Sequence, residues 1–322
     1  MSNAALVIAP STGLELARLA TDARAFADEA LASSTRRAYR AKWSAFTQWC
    51  AARGLGPLPA APSTVVVYLA SRVEAGWKVA TIEQSLAAIS HAHRLSKLEL
   101  PRAAPEVREV LRGIRRRLGV APRAQKAPVA VDELGMMVNT LSAGPLGTRD
   151  RALLLVGFAG AFRRSELIGF DLEDVGFVND GLELLVRRSK TDQEATGRKV
   201  GVPYSSLAAV CPVRSLRAWI EVAGITTGPV FRGVDRHGRI SSSRADAKTV
   251  ARVVKRTAEA AGLDASKFAG HSLRAGFVTS AARAGKPERS IAKQTGHRSI
   301  TILRGYIRDA DLFRENAAVG LL

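Results

Sequence analysis

Residues 271–308, HSLRAGFVTSAARAGKPERSIAKQTGHRSITILRGYIR, hold the signals that decide the fold of this chain. Leu273, Phe277 and Ala281 recur at helical spacing and define a buried face. His271 and Arg274, three apart, share a neighbouring face and can meet one ligand. Downstream come a proline-started helix, then a glycine turn that presents His297, then another helix that delivers Tyr306 nine residues later. An H-x-x-R pair on its own is common by chance, and it gains weight here from that ordered helix, turn and tyrosine. The segment SIAKQTGHRSITILR also reads as a helix-turn-helix, but that reading leaves basic groups elsewhere in the chain unexplained.

Towards the N-terminus, Asp132 reads as the N-cap of a helix carrying Leu134, Met137, Val138 and Leu141. Thr148 or Arg149 begins the apolar core helix RDRALLLVGFAGAF. Arg163 comes next in GAFRRSEL, at the start of a short helical turn that Leu167 and Ile168 can anchor, with Glu166 beside it as a supporting or merely ion-pairing carboxylate. GLELLVRRSKTDQEATGRKVGVPY shows two short strands around a polar turn, which sets Lys190 on or just beyond a strand of a hairpin; a solvated lysine is the bland alternative. Helical patterns return over 211–222 and 247–261, with GITTGPVFRGVDRHGRISSS as a long connection between them.

The first half is helical. Tyr39, Trp43, Phe46 and Cys50 form one stripe, and Ile82, Leu86, Ile89 and His93 repeat it. A helix over Ser63 to about Ala75 comes after the bend PLPAAP, and another carries Val107, Val110, Leu111, Ile114 and Leu118. The other side of that last helix bears Arg108, Arg112, Arg115 and Arg116, either a solvated charge run or a phosphate-binding face. The expected organisation is a weakly structured tail over 1–21, an all-helical domain over 22–118, a linker over 119–128 and an α+β domain with a small β-hairpin sheet over 129–322, whose last residues, 307–322, form a docking tail. The fold class is mainly α.

With 48 basic against 29 acidic side chains in 322 residues, the formal charge of +19 implies a polyanionic partner, nucleic acid first. A membrane surface is the competing partner. No apolar run approaches the roughly 20 residues of a spanning helix, and MSNAALVIAPSTG has no basic region ahead of its apolar stretch. The expected location is therefore cytoplasmic, with the nucleoid. Cys50 and Cys211 read as buried free thiols, and neither pairs with a ligand-spaced histidine, so neither a structural metal nor a cofactor is expected.

The ordered set Arg163, Lys190, His271, Arg274, His297 and Tyr306 resembles the tyrosine recombinase (phage integrase) family, in particular its Cre-like members with a helical N-terminal domain, over roughly residues 22–318. That resemblance implies a core-binding domain and then a catalytic domain, closing as a clamp on duplex DNA. It also implies a homotetramer on two inverted-repeat sites, a monomer or weak oligomer without DNA, and a 3′-phosphotyrosyl intermediate that needs neither ATP nor a divalent metal. Tyr306 would be the nucleophile, assisted by His271. Arg163 and Arg274 would clamp the nonbridging oxygens, His297 would donate to one of them, and Lys190 would protonate the departing 5′ oxygen. No obvious arm-binding domain precedes residue 22, which favours a simple recombinase. A strand-nicking topoisomerase could use the same chemistry, and a catalytically idle DNA-binding protein would not need Tyr306.

Overall fold

The computed structural model describes residues 15–19, 21–22, 31–120, 126–187, 197–297 and 303–305. Contacts divide the chain into two compact units, Met1–Arg123 and Ala124–Leu322.

The first unit is built on α1 (Ser33–Ala51), α2 (Pro62–Glu74), α3 (Val79–Leu95) and α4 (Pro105–Leu118). Proline opens α2 and α4, where its missing N–H costs no helical hydrogen bond. The stripes meet in one core: Phe46 and Cys50 from α1, Tyr68 and Leu69 from α2, Ile82, Leu86 and Ile89 from α3, and Val107 and Leu111 from α4. His93 closes the α3 stripe as a staple. Its Nε2 accepts from the Ala60 N–H at 2.9 Å and its Nδ1 lies 2.9 Å from the Ile89 carbonyl, so it ties the proline-rich bend to α3. Residues 15–19 and 21–22 are helical, where the sequence suggests a weakly structured tail, with Leu16 and Leu19 exposed.

The second unit begins earlier than the expected linker boundary. Lys126 donates to the Ser266 carbonyl at 2.5 Å and Ala127 N–H to the Lys267 carbonyl at 2.8 Å, so 126–128 already belong to this unit. Its elements are α5 (Val131–Asn139), α6 (Pro145–Ala159), α7 (Arg164–Gly169), β1 (Val175–Val178), β2 (Gly181–Val186), β3 (Arg198–Pro203), α8 (Pro212–Val222), β4 (Arg232–Val234), β5 (Ile240–Arg244), α9 (Lys248–Ala260), α10 (Ser272–Arg283) and α11 (Glu288–Thr295). Three sequence expectations shift. Ala130, not Asp132, occupies the N-cap of α5, and the Glu133 carboxylate accepts its N–H at 2.7 Å. Helix α6 starts at Pro145 rather than at Thr148 or Arg149, because proline is already suited to the first helical position. The long connection contains an antiparallel hairpin, β4 with β5, which weak patterning concealed.

The main sheet has three antiparallel strands in the order β1-β2-β3, one more than the hairpin expected. Strand β1 escapes sequence reading because Val175–Val178 is an edge strand, mostly exposed, whose burial does not alternate. Strand β2 does alternate, turning Leu182, Leu184 and Val186 inward to the core that α6 and α8 also supply. The same unit buries an ion cluster in which Asp150 receives Arg149 at 2.7 Å and also Arg256. Cys50 and Cys211 are both buried and free. No helix among the described residues is long and apolar enough to cross a membrane.

Candidate active site

Helix α7 is short, and it holds its place by being pinned at both ends. At its N-terminus, the fully buried Glu166 carboxylate accepts the Arg163 N–H at 2.9 Å through Oε2 and the Arg163 guanidinium at 2.6 Å through Oε1. At its C-terminus, Arg244 of β5 donates to the Ile168 and Phe170 carbonyls at 2.7 and 3.1 Å, which satisfies acceptors that a helix end leaves open. Phe162 and Phe170 pack edge-to-face around the helix at 5.0 Å. Arg163 thus stands at a fixed, partly buried point, with its side chain 18% exposed.

Arg274 reaches the same place from α10. It is buried, and its NH1 donates to the Ala161 carbonyl at 2.6 Å. Ala161 has φ 49°, a left-handed conformation that is unusual for a residue with a side chain; this charge-assisted bond helps to hold it there. Helix α10 itself lies close against the segment before α5. A Cβ on Gly276 would overlap the Val129 carbonyl, so this approach requires glycine. His271 precedes the helix and is exposed, whereas Arg274, three residues on, is buried.

His297 comes from the end of α11. Gly296 stops that helix at φ +66°, and the turn folds His297 back so that Thr295 Oγ1 lies 2.7 Å from Nδ1 and Arg274 NH2 lies 3.2 Å from Nε2. Loss of hydration, then the charges of Arg274, Arg163, His271 and Arg198, push the pKa of the His297 imidazole down to about 4. That of His271 is also lowered, first by partial desolvation and then by Arg274, Arg163 and Arg164. Both rings are therefore neutral near pH 7 and can take a proton or share one.

The sequence-level candidates Arg163, Glu166, His271, Arg274 and His297 are thus gathered by α7, α10 and α11. Lys190 and Tyr306 lie outside the described residues. The chain just before Tyr306 is anchored: residues 303–305 are helical, Leu303 is buried with Val278, Ala282 and Ile291, and Arg304 donates to Glu288 at 3.3 Å. Arg108, Arg112, Arg115 and Arg116 belong to α4 of the other unit and are exposed. Arg115 is not an unpaired charge, because Glu83 of α3 accepts from its Nε at 2.7 Å and from its NH2 at 2.5 Å. Arg102, Arg108, Arg112 and Arg115 line a recess of about 260 Å³ floored by Leu86, Val107 and Leu111.

Three residues that sequence reasoning passed over complete the site's frame. Arg198, at the start of β3, donates to the Gln294 carbonyl at 2.9 Å and lies 3.5 Å from Glu166 Oε2. The Gln294 side chain donates to the Ala159 carbonyl at 2.9 Å and the Gly201 carbonyl at 3.0 Å, joining α11 to α6 and β3. Thr295 is fully buried under His297. Only Thr295, beside a singled-out histidine, carried any signal in the sequence.

Comparison with known proteins bears on the family and the fold. Residues 129–312 match the model of the phage integrase family. The chain is 36% identical to an integrase/recombinase XerD homolog of Selenomonas ruminantium, over 93% of this chain and 89% of that one. It is 25% identical to the recombinase Cre of Escherichia phage P1, over 84% of this chain and 81% of that one, so the Cre-like emphasis of the sequence reading gives way to a Xer-like one. A lambda integrase tetramer bound to a Holliday junction shares the fold with a TM-score of 0.59 at 18% identity, over 91% of this chain and 76% of that one. A mainly helical first unit and a catalytic-type unit with a small sheet, in a chain matched along nearly its whole length, place this protein in the phage integrase family of tyrosine recombinases.

Proposed function

We propose that this chain is a site-specific DNA recombinase of simple architecture that cleaves and rejoins DNA through a 3′-phosphotyrosyl link to Tyr306, exchanging strands between two inverted-repeat sites. The observation that carries the reading is the convergence of two arginines and two neutral imidazoles from three separate elements, close enough that both arginines act on both rings. Neutral substrates have no use for such a set. A phosphodiester in transesterification does, because negative charge builds on its nonbridging oxygens as the pentacoordinate state forms.

Arg163 and Arg274 hold those oxygens with charge-assisted, planar donors, and His297 donates to one of them. His271, exposed and neutral, takes the proton of the Tyr306 phenol as oxygen attacks phosphorus. Lys190 supplies a proton to the departing 5′ oxygen. The new P–O bond to the phenol replaces the P–O bond to the 5′ carbon's oxygen, so a second strand's hydroxyl can reverse the step without an external energy source. Arg108, Arg112 and Arg116 grip backbone phosphates from the first unit, with Arg115 shared between Glu83 and DNA. The protein works in the cytoplasm, on the nucleoid.

The tail 307–322, with Val319, Leu321 and Leu322, lies outside the described residues; its apolar side chains call for docking either on its own catalytic unit or on a neighbouring protomer, and the second mode would link four copies on DNA. A largely apolar pocket of about 480 Å³ lined by Phe158, Phe277, Ala281 and Ile291 could accept such side chains in either mode. The test is to supply two differently labelled DNA fragments bearing the genomic flanks of the gene. Joined products with crossover confined to an inverted repeat support the reading; relaxation of supercoils with no joined product supports a topoisomerase instead.

A further inference from the structure

We propose that Thr295 is a positioning residue for His297. Its hydroxyl holds the imidazole proton on Nδ1 in the DNA-free protein, and it turns to donate to Nδ1 when a phosphate oxygen takes the Nε2 side. The second half rests on the proposed role of His297 as a phosphate ligand.

The first half comes from counting protons. A guanidinium has no acceptor, so the 3.2 Å contact between Arg274 NH2 and His297 Nε2 requires a bare Nε2 lone pair. The one proton of a neutral imidazole is then on Nδ1, which lies 2.7 Å from Thr295 Oγ1. A hydroxyl has one proton to give, and here the Ile291 carbonyl takes it at 2.8 Å, with Ala292 at 3.3 Å as the second acceptor in reach. The result is a directed chain: Arg274 to Nε2, Nδ1–H to Oγ1, hydroxyl to carbonyl. Residues two apart do not meet on a regular helix, and this pair does so only because Gly296 is left-handed. Thr295 has no exposed surface. The groups that face His297 are Arg274, Arg163, His271 and Arg198, and all of them disfavour its cationic form.

A phosphate oxygen only accepts, and a bare Nε2 facing it would repel it. For His297 to donate there, one proton must arrive at Nε2 and one must leave Nδ1, through solvent and with no change in net charge. Arg274 NH2 then turns from Nε2 to the phosphate, and the Thr295 hydroxyl gives up the Ile291 carbonyl and donates to the vacated Nδ1 lone pair. Serine can perform both roles; valine, of the same shape, can perform neither.

The test uses the full chain with Thr295→Val and Thr295→Ser. Long-range nitrogen–proton NMR of the five histidines, without DNA and near pH 7, reports the tautomer, with H297Q identifying the signal. Wild type and T295S are expected to show a fixed Nδ1–H form, and T295V, in which Nδ1–H loses its acceptor while Arg274 still favours a bare Nε2, an averaged one. On any DNA fragment where wild type forms its covalent adduct, T295V should be slower by about tenfold or more at saturating DNA, with affinity unchanged and T295S within about threefold of wild type. A T295V protein that keeps the Nδ1–H form overturns the proposal. One that loses it yet reacts at the wild-type rate overturns the second half. If T295V does not fold, as its melting curve would show, an averaged tautomer in T295S overturns the proposal by itself. If wild type forms no adduct on any DNA, the enzymatic reading fails, and the tautomer spectra still decide the first half.

Discussion

Arg163 and Glu166 are joined twice, backbone N–H to Oε2 at 2.9 Å and guanidinium to Oε1 at 2.6 Å, on a carboxylate with no exposed surface. The same carboxylate lies 3.5 Å from Arg198. One buried anion therefore orients one arginine, balances a second and caps α7. Removing a single partner of such a cluster exposes the remaining charges to each other in a poorly hydrated place.

Glu166→Gln keeps the shape and removes the charge. It should lower unfolding stability by about 2–4 kcal/mol, as expected for breaking a largely buried ion pair, and should reduce strand cleavage much further than DNA binding. Urea denaturation with parallel binding and cleavage assays checks this. Stability within about 0.5 kcal/mol of wild type would show that Glu166 does not hold the cluster together.

Stability should depend on pH through His297. Its imidazole pKa is held at about 4 in the folded protein, against about 6.5 in an unfolded chain. Above pH 6.5 both forms are neutral and the group has no effect. As pH falls from 6.5 through 4 the unfolded chain takes up the proton first, so stability declines across that window. His271, lowered in the same direction, adds to it. Melting temperature against pH should be measurably flatter in His297→Gln; identical slopes would contradict the placement of His297.

Gly296→Ala tests the turn beneath His297. The position has φ +66°, and an added Cβ would lie 2.7 Å from Arg198 Nε. The substitution should cost about 1–2 kcal/mol in stability from the left-handed backbone alone. It should also slow cleavage by displacing either His297 or Arg198. A variant with wild-type kinetics would show that neither residue needs this turn.

How much of this was legible in the sequence depends on the range over which each residue's partner lies. The helices of the first unit were readable because Ile82, Leu86, Ile89 and His93 bury one stripe, and local periodicity encodes burial directly. Arg163, His271, Arg274 and His297 were readable as chemistry in ordered boxes, and Glu166 as a neighbour of Arg163. Arg198 and Gln294 were not, because what matters is a carbonyl 96 residues away for one, and carbonyls 135 and 93 residues away for the other. Strand β1 and the β4–β5 hairpin were missed because their residues are mostly exposed or half-buried and show no alternation. The pairing of Arg115 with Glu83 is likewise a contact across 32 residues that a charge count on one helix cannot reveal.

That pairing separates the arginines of α4. Arg108→Ala and Arg112→Ala should each reduce the slope of log affinity against log salt by about 0.9 on duplex DNA, the signature of one lost phosphate contact. Arg115→Ala should change it less, because Glu83 already takes part of its charge. Salt titrations by fluorescence anisotropy decide this, and equal slopes in all three variants and wild type would remove α4 from the DNA interface.

The most direct measurement is to incubate the protein with DNA from the flanks of its gene in the presence of a chelator, stop the reaction in denaturant, and map the peptide that carries nucleotide. A 3′-phosphate attached to Tyr306 is expected, with a free 5′ hydroxyl on the other side of the break, and no adduct from Tyr306→Phe although that variant still binds the DNA. An adduct that survives in Tyr306→Phe, or strand breaks with no protein attached, would contradict the assignment of Tyr306 as the nucleophile.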